Sequence, residues 1–375
     1  MKRFRIVLSI VLGFALFLGT ALVEDVPVHA ATQSTATYVA LGDSITTGYG
    51  LVNFNENDIK NKSSELNFVN KLSKKLGKKA VNLGVEGIDS TLFLESIIRP
   101  KTYEQKAAVA QMKNASVITI SIGGNNVFFP LLNELHQRLG KGKSIFTASA
   151  QEIQAAAFGL IIDTNALNKL QKDLIGGAAT FNGDLKLKKA GDFANIIGTI
   201  KKLNPKSQII VQTIYNPYNL PFTKFFDTAI KSMNAKIIKD SANGKNYKVA
   251  DVYLAFSKAK AGTVLVNADS GKTFDPHPTV KGHEVIYTLV ASAAQNNTLP
   301  YNVKATITKG KLITKVTEGE LLLTISPTKG YKVPKSISIT IGKGASTTLN
   351  LNKGQASLPI ADVGADIVVA AVCSK

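Results

Sequence analysis

The chain has 375 residues, with 45 Lys and Arg against 26 Asp and Glu, a formal net charge of +19, and 45% hydrophobic residues. It is long enough for two domains, one with a substantial core, and its composition is that of neither a disordered chain nor a polytopic membrane protein. The single cysteine, Cys373, excludes a disulfide within the chain.

The N-terminus reads as a targeting segment. Lys2, Arg3 and Arg5 form a positive region, an apolar run follows from Ile6 to Val23, and Val28-His29-Ala30 puts small residues at the positions a signal peptidase reads. Residues 1–30 are therefore expected to be a signal peptide cleaved after Ala30, which makes the protein secreted or cell-surface associated. An exported chain this basic is expected to be held near polyanions such as cell-wall polymers or an anionic membrane surface. There is no zinc-finger spacing and no aromatic-basic recognition motif, so nucleic acid is not an expected partner.

From about Thr37 to Asn296, strand-like and helix-like segments alternate. Thr37–Leu41 is short and apolar and runs into Gly42-Asp43-Ser44. Phe68, Leu72 and Leu76 have helical spacing, ended by Gly77. Ala80–Val85 reads as a strand, as does Ser116–Ile122, which leads into Gly123-Gly124-Asn125-Asn126. Leu131, Leu132, Leu135 and Leu139 suggest a helix. Ile209–Thr213 and Lys248–Tyr253 read as two further buried strands, and Val280 to Ala294 as a closing helix. Buried strands separated by helices predict an α/β fold, a doubly wound parallel sheet over residues 31–296. Sites in such sheets lie beyond the carboxyl ends of the strands, and Ser44, Gly84 and Asn125 each fall just past one. Residues 141–204 are long for one crossover and read as a helical insertion capping the site.

Composition changes around Asn296-Asn297-Thr298-Leu299-Pro300. Beyond it Ile337, Ile339 and Ile341 alternate with Ser336, Ser338 and Thr340, with Gly-rich turns between runs. Residues 299–375 are expected to form a small all-β sandwich. Its Gly330-Tyr331-Lys332-Val333-Pro334 stretch, with the closing Gly364-Ala365-Asp366-Ile367-Val368-Val369, resembles Ig-like modules of bacterial surface proteins.

A serine nucleophile needs a base, a group that orients the base, and donors aimed at the developing oxyanion. Three histidines follow residue 30: His136, His277 and His283. His136 lies within an amphipathic helical pattern. His283 starts the closing helix, where a buried hydrogen bond is the expected role. His277 stands in Asp275-Pro276-His277-Pro278, a loop held by two prolines, and suits a base. The few histidines show no metal-ligand spacing, so neither metal nor cofactor is expected. Asp43 and Asp251 read as local structural groups.

Gly42-Asp43-Ser44 followed by Ile45-Thr46-Thr47-Gly48-Tyr49-Gly50, then Asn82-Leu83-Gly84, Gly123-Gly124-Asn125-Asn126, and Asp275-Pro276-His277-Pro278 with Gly282-His283, resemble in order the four blocks of the GDSL/SGNH hydrolases. The resemblance spans about 260 residues. It implies the flavodoxin-like SGNH fold and a secreted serine esterase working through an acyl-enzyme. Ser44 is the implied nucleophile and His277 its base. The N–H groups of Ser44 and Gly84, with the Asn125 amide, are the implied oxyanion hole. Asn126 stands where the family has Asp. The family's acid stands three residues before the base, where this chain has Phe274; Asp275 stands two before. In an extended strand that spacing is too wide for a close hydrogen bond, so Asp275 serves only if Pro276 turns the chain. Otherwise a backbone carbonyl orients His277. A small-molecule, lipid or glycan ester is the implied substrate. A cell-surface polysaccharide O-acetyl esterase, and a non-catalytic surface-binding protein on the same scaffold, are the alternatives. The Gly-x-Ser-x-Gly elbow of the α/β-hydrolases is absent around Ser44.

Overall fold

The structure, a computed structural model, describes residues 37–375 apart from 53, 55–63, 141, 144, 146–147, 185–186, 188, 219–222 and 271–273. The signal-peptide reading of residues 1–30 lies outside the described residues. The first half of the chain runs β1 (Thr37–Gly42), α1 (Ser44–Thr47), α2 (Phe68–Leu76), β2 (Ala80–Gly84), α3 (Ser90–Ile98), α4 (Tyr103–Asn114), β3 (Ala115–Ser121), α5 (Gly124–His136), α6 (Ala150–Ile162) and α7 (Thr164–Asn182). A two-residue hairpin, β4 (Gly183–Asp184) and β5 (Lys189–Ala190), then leads to α8 (Asp192–Leu203), β6 (Gln208–Gln212), α9 (Thr223–Asp240), β7 (Lys248–Ala250), α10 (Val252–Ser257) and α11 (Val280–Ala294).

Five strands pair in parallel in the order β2-β1-β3-β6-β7. This is a doubly wound flavodoxin-like sheet, whose switch point lies between β1 and β3. Both of those strands are buried along nearly their whole length, as expected when helices cover both faces of a sheet. Helix α2 is amphipathic, burying Phe68, Val69 and Leu72. Asn67 caps its start and Gly77, with φ of 61°, its end.

Two expectations are revised. The apolar run expected as a strand to Tyr253 ends at Ala250, because Asp251 accepts from the N–H of Leu254 and starts α10. The expected insertion over 141–204 is shorter. Helix α8 buries Phe193, Ile196, Ile197 and Ile200 as an ordinary crossover helix, which leaves α6, α7 and the small hairpin as the extra element. Helix α7 buries Leu170, Leu174, Ala178 and Phe181. Its Gly177 approaches so closely that a Cβ there would lie 2.1 Å from the carbonyl oxygen of Asn126. That carbonyl is left without its helical donor because Pro130 stands four residues on.

After residue 299 the chain is all-β. One sheet has the order β13-β10-β9 and the other β12-β11-β14-β8. The strands are β8 (Val303–Thr308), β9 (Gly310–Thr317), β10 (Glu320–Pro327), β11 (Ser336–Ile341), β12 (Thr347–Asn350), β13 (Gln355–Pro359) and β14 (Ile367–Val372). Leu321, Leu323, Ile325, Ile337, Ile339 and Val369 point inward between them. The described residues form one compact unit, and α11 shows why. It buries eleven of its fifteen residues, more than one apolar stripe, so it is covered on several sides. Val285, Ile286, Leu289 and Val290 share one core with β-module residues such as Leu321, Ile360 and Val363. Lys75 Nζ also donates to the Pro300 carbonyl at 2.6 Å, and Tyr301 Oη donates to Glu284 of α11.

Candidate active site

Gly42 ends β1 with φ of +133°, and a Cβ there would lie 1.9 Å from the carbonyl oxygen of Ser121 on β3. Only glycine permits this close approach of the two backbones. The turn delivers Asp43 as the cap of α1, with its carboxylate accepting from Ile45 N–H at 3.1 Å and from Ser121 Oγ at 3.0 Å. Burial pushes the Asp43 carboxyl up to about 6 despite those bonds. Ser44 is then the first residue of α1. Asn67 and Asn82 both donate side-chain amides to the Thr46 carbonyl, at 2.9 and 2.8 Å, and so hold the turn from two sides.

His277 reaches the same point from the far end of the domain. Its Nε2 lies 2.9 Å from Ser44 Oγ. Its Nδ1 is hydrogen-bonded to Asp275 Oδ1, which fixes the proton on Nδ1 and leaves Nε2 to accept from the serine. Asp275 Oδ1 also accepts from the main-chain N–H of His277 at 3.0 Å. A carboxylate bound to the N–H two residues on forms an Asx turn; that is how an acid only two residues away reaches the ring. The other oxygen accepts from Asn267 Nδ2 at 2.7 Å. Burial would raise the Asp275 carboxyl, but the hydrogen bonds and charge of His277, with the Asn267 amide, hold it below its usual value.

The loop is clamped by backbone. Asn267 N–H donates to the His277 carbonyl, Ala268 N–H to that of Asp275, and Thr279 N–H to that of Leu265, each at 2.9 Å. Tyr215 Oη donates to the Pro276 carbonyl at 2.7 Å. Phe274, at the position where the family has its acid, stacks on Tyr218 with ring centres 4.2 Å apart. The nucleophile's own loop closes over the base: the ring centres of Tyr49 and His277 are 4.8 Å apart. A Cβ on Gly50 would be 3.6 Å from Asp275 Oδ2.

The three oxyanion candidates are placed unequally. Ser44 N–H has no acceptor among the described residues. Asn125, in the first turn of α5, donates one amide hydrogen to the Ile88 carbonyl at 2.9 Å, which leaves the other available. The Gly84 N–H is engaged, donating to Asn82 Oδ1 at 3.0 Å. The need for glycine at 84 is steric instead, since a Cβ would sit 2.7 Å from Thr47 Cγ2. The turn after β2 brings forward Gly87, with φ of 70° and an N–H that meets no acceptor among the described residues. Gly87 lies one residue before the carbonyl that holds Asn125. In the sequence Gly87 reads only as a glycine that, with Gly84, ends the second strand; nothing there marks its N–H as a donor.

Asn126 donates to Ser90 Oγ at 2.8 Å and accepts from Ser90 N–H at 3.1 Å, tying α5 to the start of α3. Asp251 accepts from Thr213 Oγ1 at 2.8 Å. His136 is the last residue of α5, at the opposite end of that helix from Asn125. His283 is fully buried, stacked on Phe68 at 6.1 Å. The hydrogen bond expected of it is absent among the described residues, and burial drives its ring down to about 3, so it stays neutral. Among the described residues, no group of three or more His, Cys, Asp or Glu could hold a metal ion. No described helix is long and apolar enough to cross a membrane. A serine oxygen against an imidazole whose other nitrogen is held by a carboxylate, near unengaged N–H donors, is an arrangement suited to acyl transfer.

The family model described as the GDSL-like lipase/acylhydrolase family matches residues 40–285. Among solved structures, the chain is similar to the lipase Lip_vut3 from a goat rumen metagenome, at 20% identity over 69% of this chain and 97% of that one, with a TM-score of 0.41. It is also similar to an extracellular lipase from Streptomyces rimosus, at 16% identity over 69% and 100% of the two chains, with a TM-score of 0.47. A third is phospholipase A1 from Streptomyces albidoflavus, at 15% identity over 69% and 100%, with a TM-score of 0.41. No curated protein matches the chain.

Proposed function

The chain belongs to the GDSL-like lipase/acylhydrolase family and is a serine hydrolase of the esterase/lipase kind; on that premise we propose that it hydrolyses carboxylic esters through an acyl-enzyme on Ser44. The observation that carries this reading is the 2.9 Å approach of Ser44 Oγ to His277 Nε2, with Asp275 on the far nitrogen. His277 takes the serine proton as Oγ attacks the acyl carbonyl, then gives it to the leaving alcohol. Water repeats the sequence in reverse roles and frees the acid. Asp275 keeps the imidazole in the tautomer that can accept, and it stabilises the imidazolium that forms.

Oxyanion charge falls to Ser44 N–H and the free hydrogen of Asn125 Nδ2. Gly84 was the sequence candidate for the third donor. Because its N–H is taken by Asn82, we propose the Gly87 N–H, three residues on and without an acceptor among the described residues, as the third donor. Each such donor is worth roughly 100-fold or more in turnover.

The acyl group is proposed to be apolar. Val85, 47% exposed, and Phe129, 38% exposed, flank the turn that carries Gly87; a Cβ on Gly87 would lie 3.2 Å from Phe129 Cζ. The competing substrate is an O-acetyl group on a glycan. Export rests on the residues of 1–30, and a net charge of +19 suits an anionic wall or membrane as surroundings.

The test is a kinetic series on p-nitrophenyl esters from acetate to dodecanoate beside an acetylated polysaccharide. The proposal expects kcat/KM to rise from acetate to a longer chain. Turnover of the acetylated glycan far above every simple ester would replace the apolar acyl group with acetyl.

A further inference from the structure

The β module is electrically polar along its length. Strand pairing fixes which residues lie at each end. β10 runs from Glu320 to Pro327 and β9 antiparallel beside it, with Glu320 opposite Thr317 and Pro327 opposite Gly310. β8 and β14 run parallel, with Val303 opposite Ile367 and Thr308 opposite Val372. The end holding Thr317, Glu320, Val303 and Ile367 faces the hydrolase. There Gly319 packs on α10, where a Cβ would meet the Ala255 nitrogen at 2.8 Å. Lys258 reaches the Glu318 carbonyl at 3.0 Å and the Glu320 carboxylate at 3.4 Å. Lys260 pairs with Asp362 at 3.1 Å. Asp366 accepts from Asn302 N–H at 2.9 Å, at the same end. All four acidic residues of 299–375 are thus at the hydrolase end.

The opposite end is built of lysine. Lys309 and Lys311 flank the β8–β9 turn. Lys329 and Lys332 lie in the loop after β10, which folds back onto that turn: Thr328 N–H donates to the Lys309 carbonyl at 2.8 Å, and Lys309 Nζ lies 5.8 Å from the Tyr331 ring centre. Lys335 precedes β11, and the Leu351 N–H donates to its carbonyl at 2.8 Å. Lys353 sits in the turn whose Gly354 carbonyl accepts from Ile325 N–H at 2.9 Å. All six lysines are exposed, and none forms an ion pair among the described residues. No acidic side chain of the module shares their end.

We propose that this lysine-lined tip of the β module binds a linear polyanion of the phosphodiester or polyphosphate kind. The segregation of sign is what favours it, because the module's carboxylate side chains, which would repel a polyanion, lie at the hydrolase end. The lysines come from three separate connections around the tip, β8–β9, β10–β11 and β12–β13, so a flexible chain can wrap them where a flat bilayer would meet only some. The tip also lacks exposed aromatic rings for insertion: Tyr331 lies under Lys309, and the large apolar side chains exposed there are two valines, Val333 and Val372. Binding of this kind releases counterions and weakens steeply with salt.

The test uses the full chain and long-chain inorganic polyphosphate as probe. A tip variant carries Lys309→Gln, Lys311→Gln, Lys329→Gln and Lys332→Gln. A control of equal charge carries Lys101→Gln, Lys106→Gln, Lys113→Gln and Lys172→Gln, all exposed on the hydrolase domain. Both should keep p-nitrophenyl ester turnover and melting temperature. The wild type is expected to bind polyphosphate at low salt. The tip variant should lose at least about tenfold in affinity and about 3 in the slope of log K against log salt, at about 0.7 per lysine for a single-stranded polyanion. The control should keep both. Equal loss in the control would mean that overall charge, not the tip, binds. Tip-dependent binding to phosphatidylglycerol vesicles without binding to polyphosphate would assign the tip to a bilayer. Either result overturns the proposal and leaves the esterase reading untouched.

Discussion

Asp275 holds His277 twice, through the main-chain N–H at 3.0 Å and through Nδ1 of the ring, so one carboxylate both shapes the loop and orients the base. Asp275→Asn should therefore lose turnover through the tautomer as well as the charge. By analogy with serine triads the loss in kcat is roughly 1,000- to 10,000-fold, with little change in KM. An Asp275→Asn enzyme within a few-fold of wild type in steady-state kinetics would show that the carboxylate does not orient the base.

Gly42 admits no side chain. With φ of +133° and only 1.9 Å from a Cβ to the Ser121 carbonyl oxygen, Gly42→Ala must part β1 from β3 at the point that sets Ser44. We expect a destabilisation above about 3 kcal/mol, more than ordinary substitutions cost, seen as insoluble expression or a large drop in melting temperature. A folded Gly42→Ala protein with wild-type turnover would show that the close approach of Gly42 to Ser121 is not what positions the serine.

Asp43 should give stability an unusual pH dependence. Its folded carboxyl stands at about 6, above the value near 4 of an unfolded Asp. Between those values the folded state holds a proton that the unfolded chain has released. The contribution of Asp43 to stability therefore falls as pH rises from about 4 to 6, by an amount on the order of 3 kcal/mol. Asp43→Asn keeps a capping oxygen and does not titrate. The melting temperature of wild type minus that of Asp43→Asn should decrease over this interval; a difference that is flat or grows with pH would contradict the raised value.

Removing residues 299–375 uncovers α11, whose Leu289 and Val290 are buried in the core shared with the module. Burying one such side chain is worth about 1.5–3 kcal/mol, so the truncated hydrolase should melt well below the full chain or aggregate. An unchanged melting temperature, followed by thermal scans of both forms, would mean that the hydrolase is self-sufficient.

The parallel sheet was legible because buried strands advertise themselves as apolar runs, and Ser44, Asn125 and His277 because short motifs stand at their ends. What sequence missed is three-dimensional detail within one or two residues. An extended-chain rule argued against Asp275, and the Asx turn overrides it. Gly84 looked like a donor, but Asn82 captures its N–H and its neighbour Thr47 explains the glycine. Lys248–Tyr253 is apolar enough for a strand, yet the capping oxygen of Asp251 ends it early. The sharing of α11 between sheet and module left no local pattern beyond a helix that is apolar nearly all round.

Fluorophosphonate labelling followed by intact-mass and peptide mass spectrometry tests the assignment of the nucleophile most directly. The folded wild-type chain should gain a single phosphonyl group on Ser44 and lose ester hydrolysis in step with labelling. Ser44→Ala should take up no label and show no turnover, while keeping the wild-type melting temperature. Labelling at another serine, or a folded Ser44→Ala protein that still hydrolyses p-nitrophenyl esters at the wild-type rate, would contradict the assignment of Ser44 and His277 as nucleophile and base.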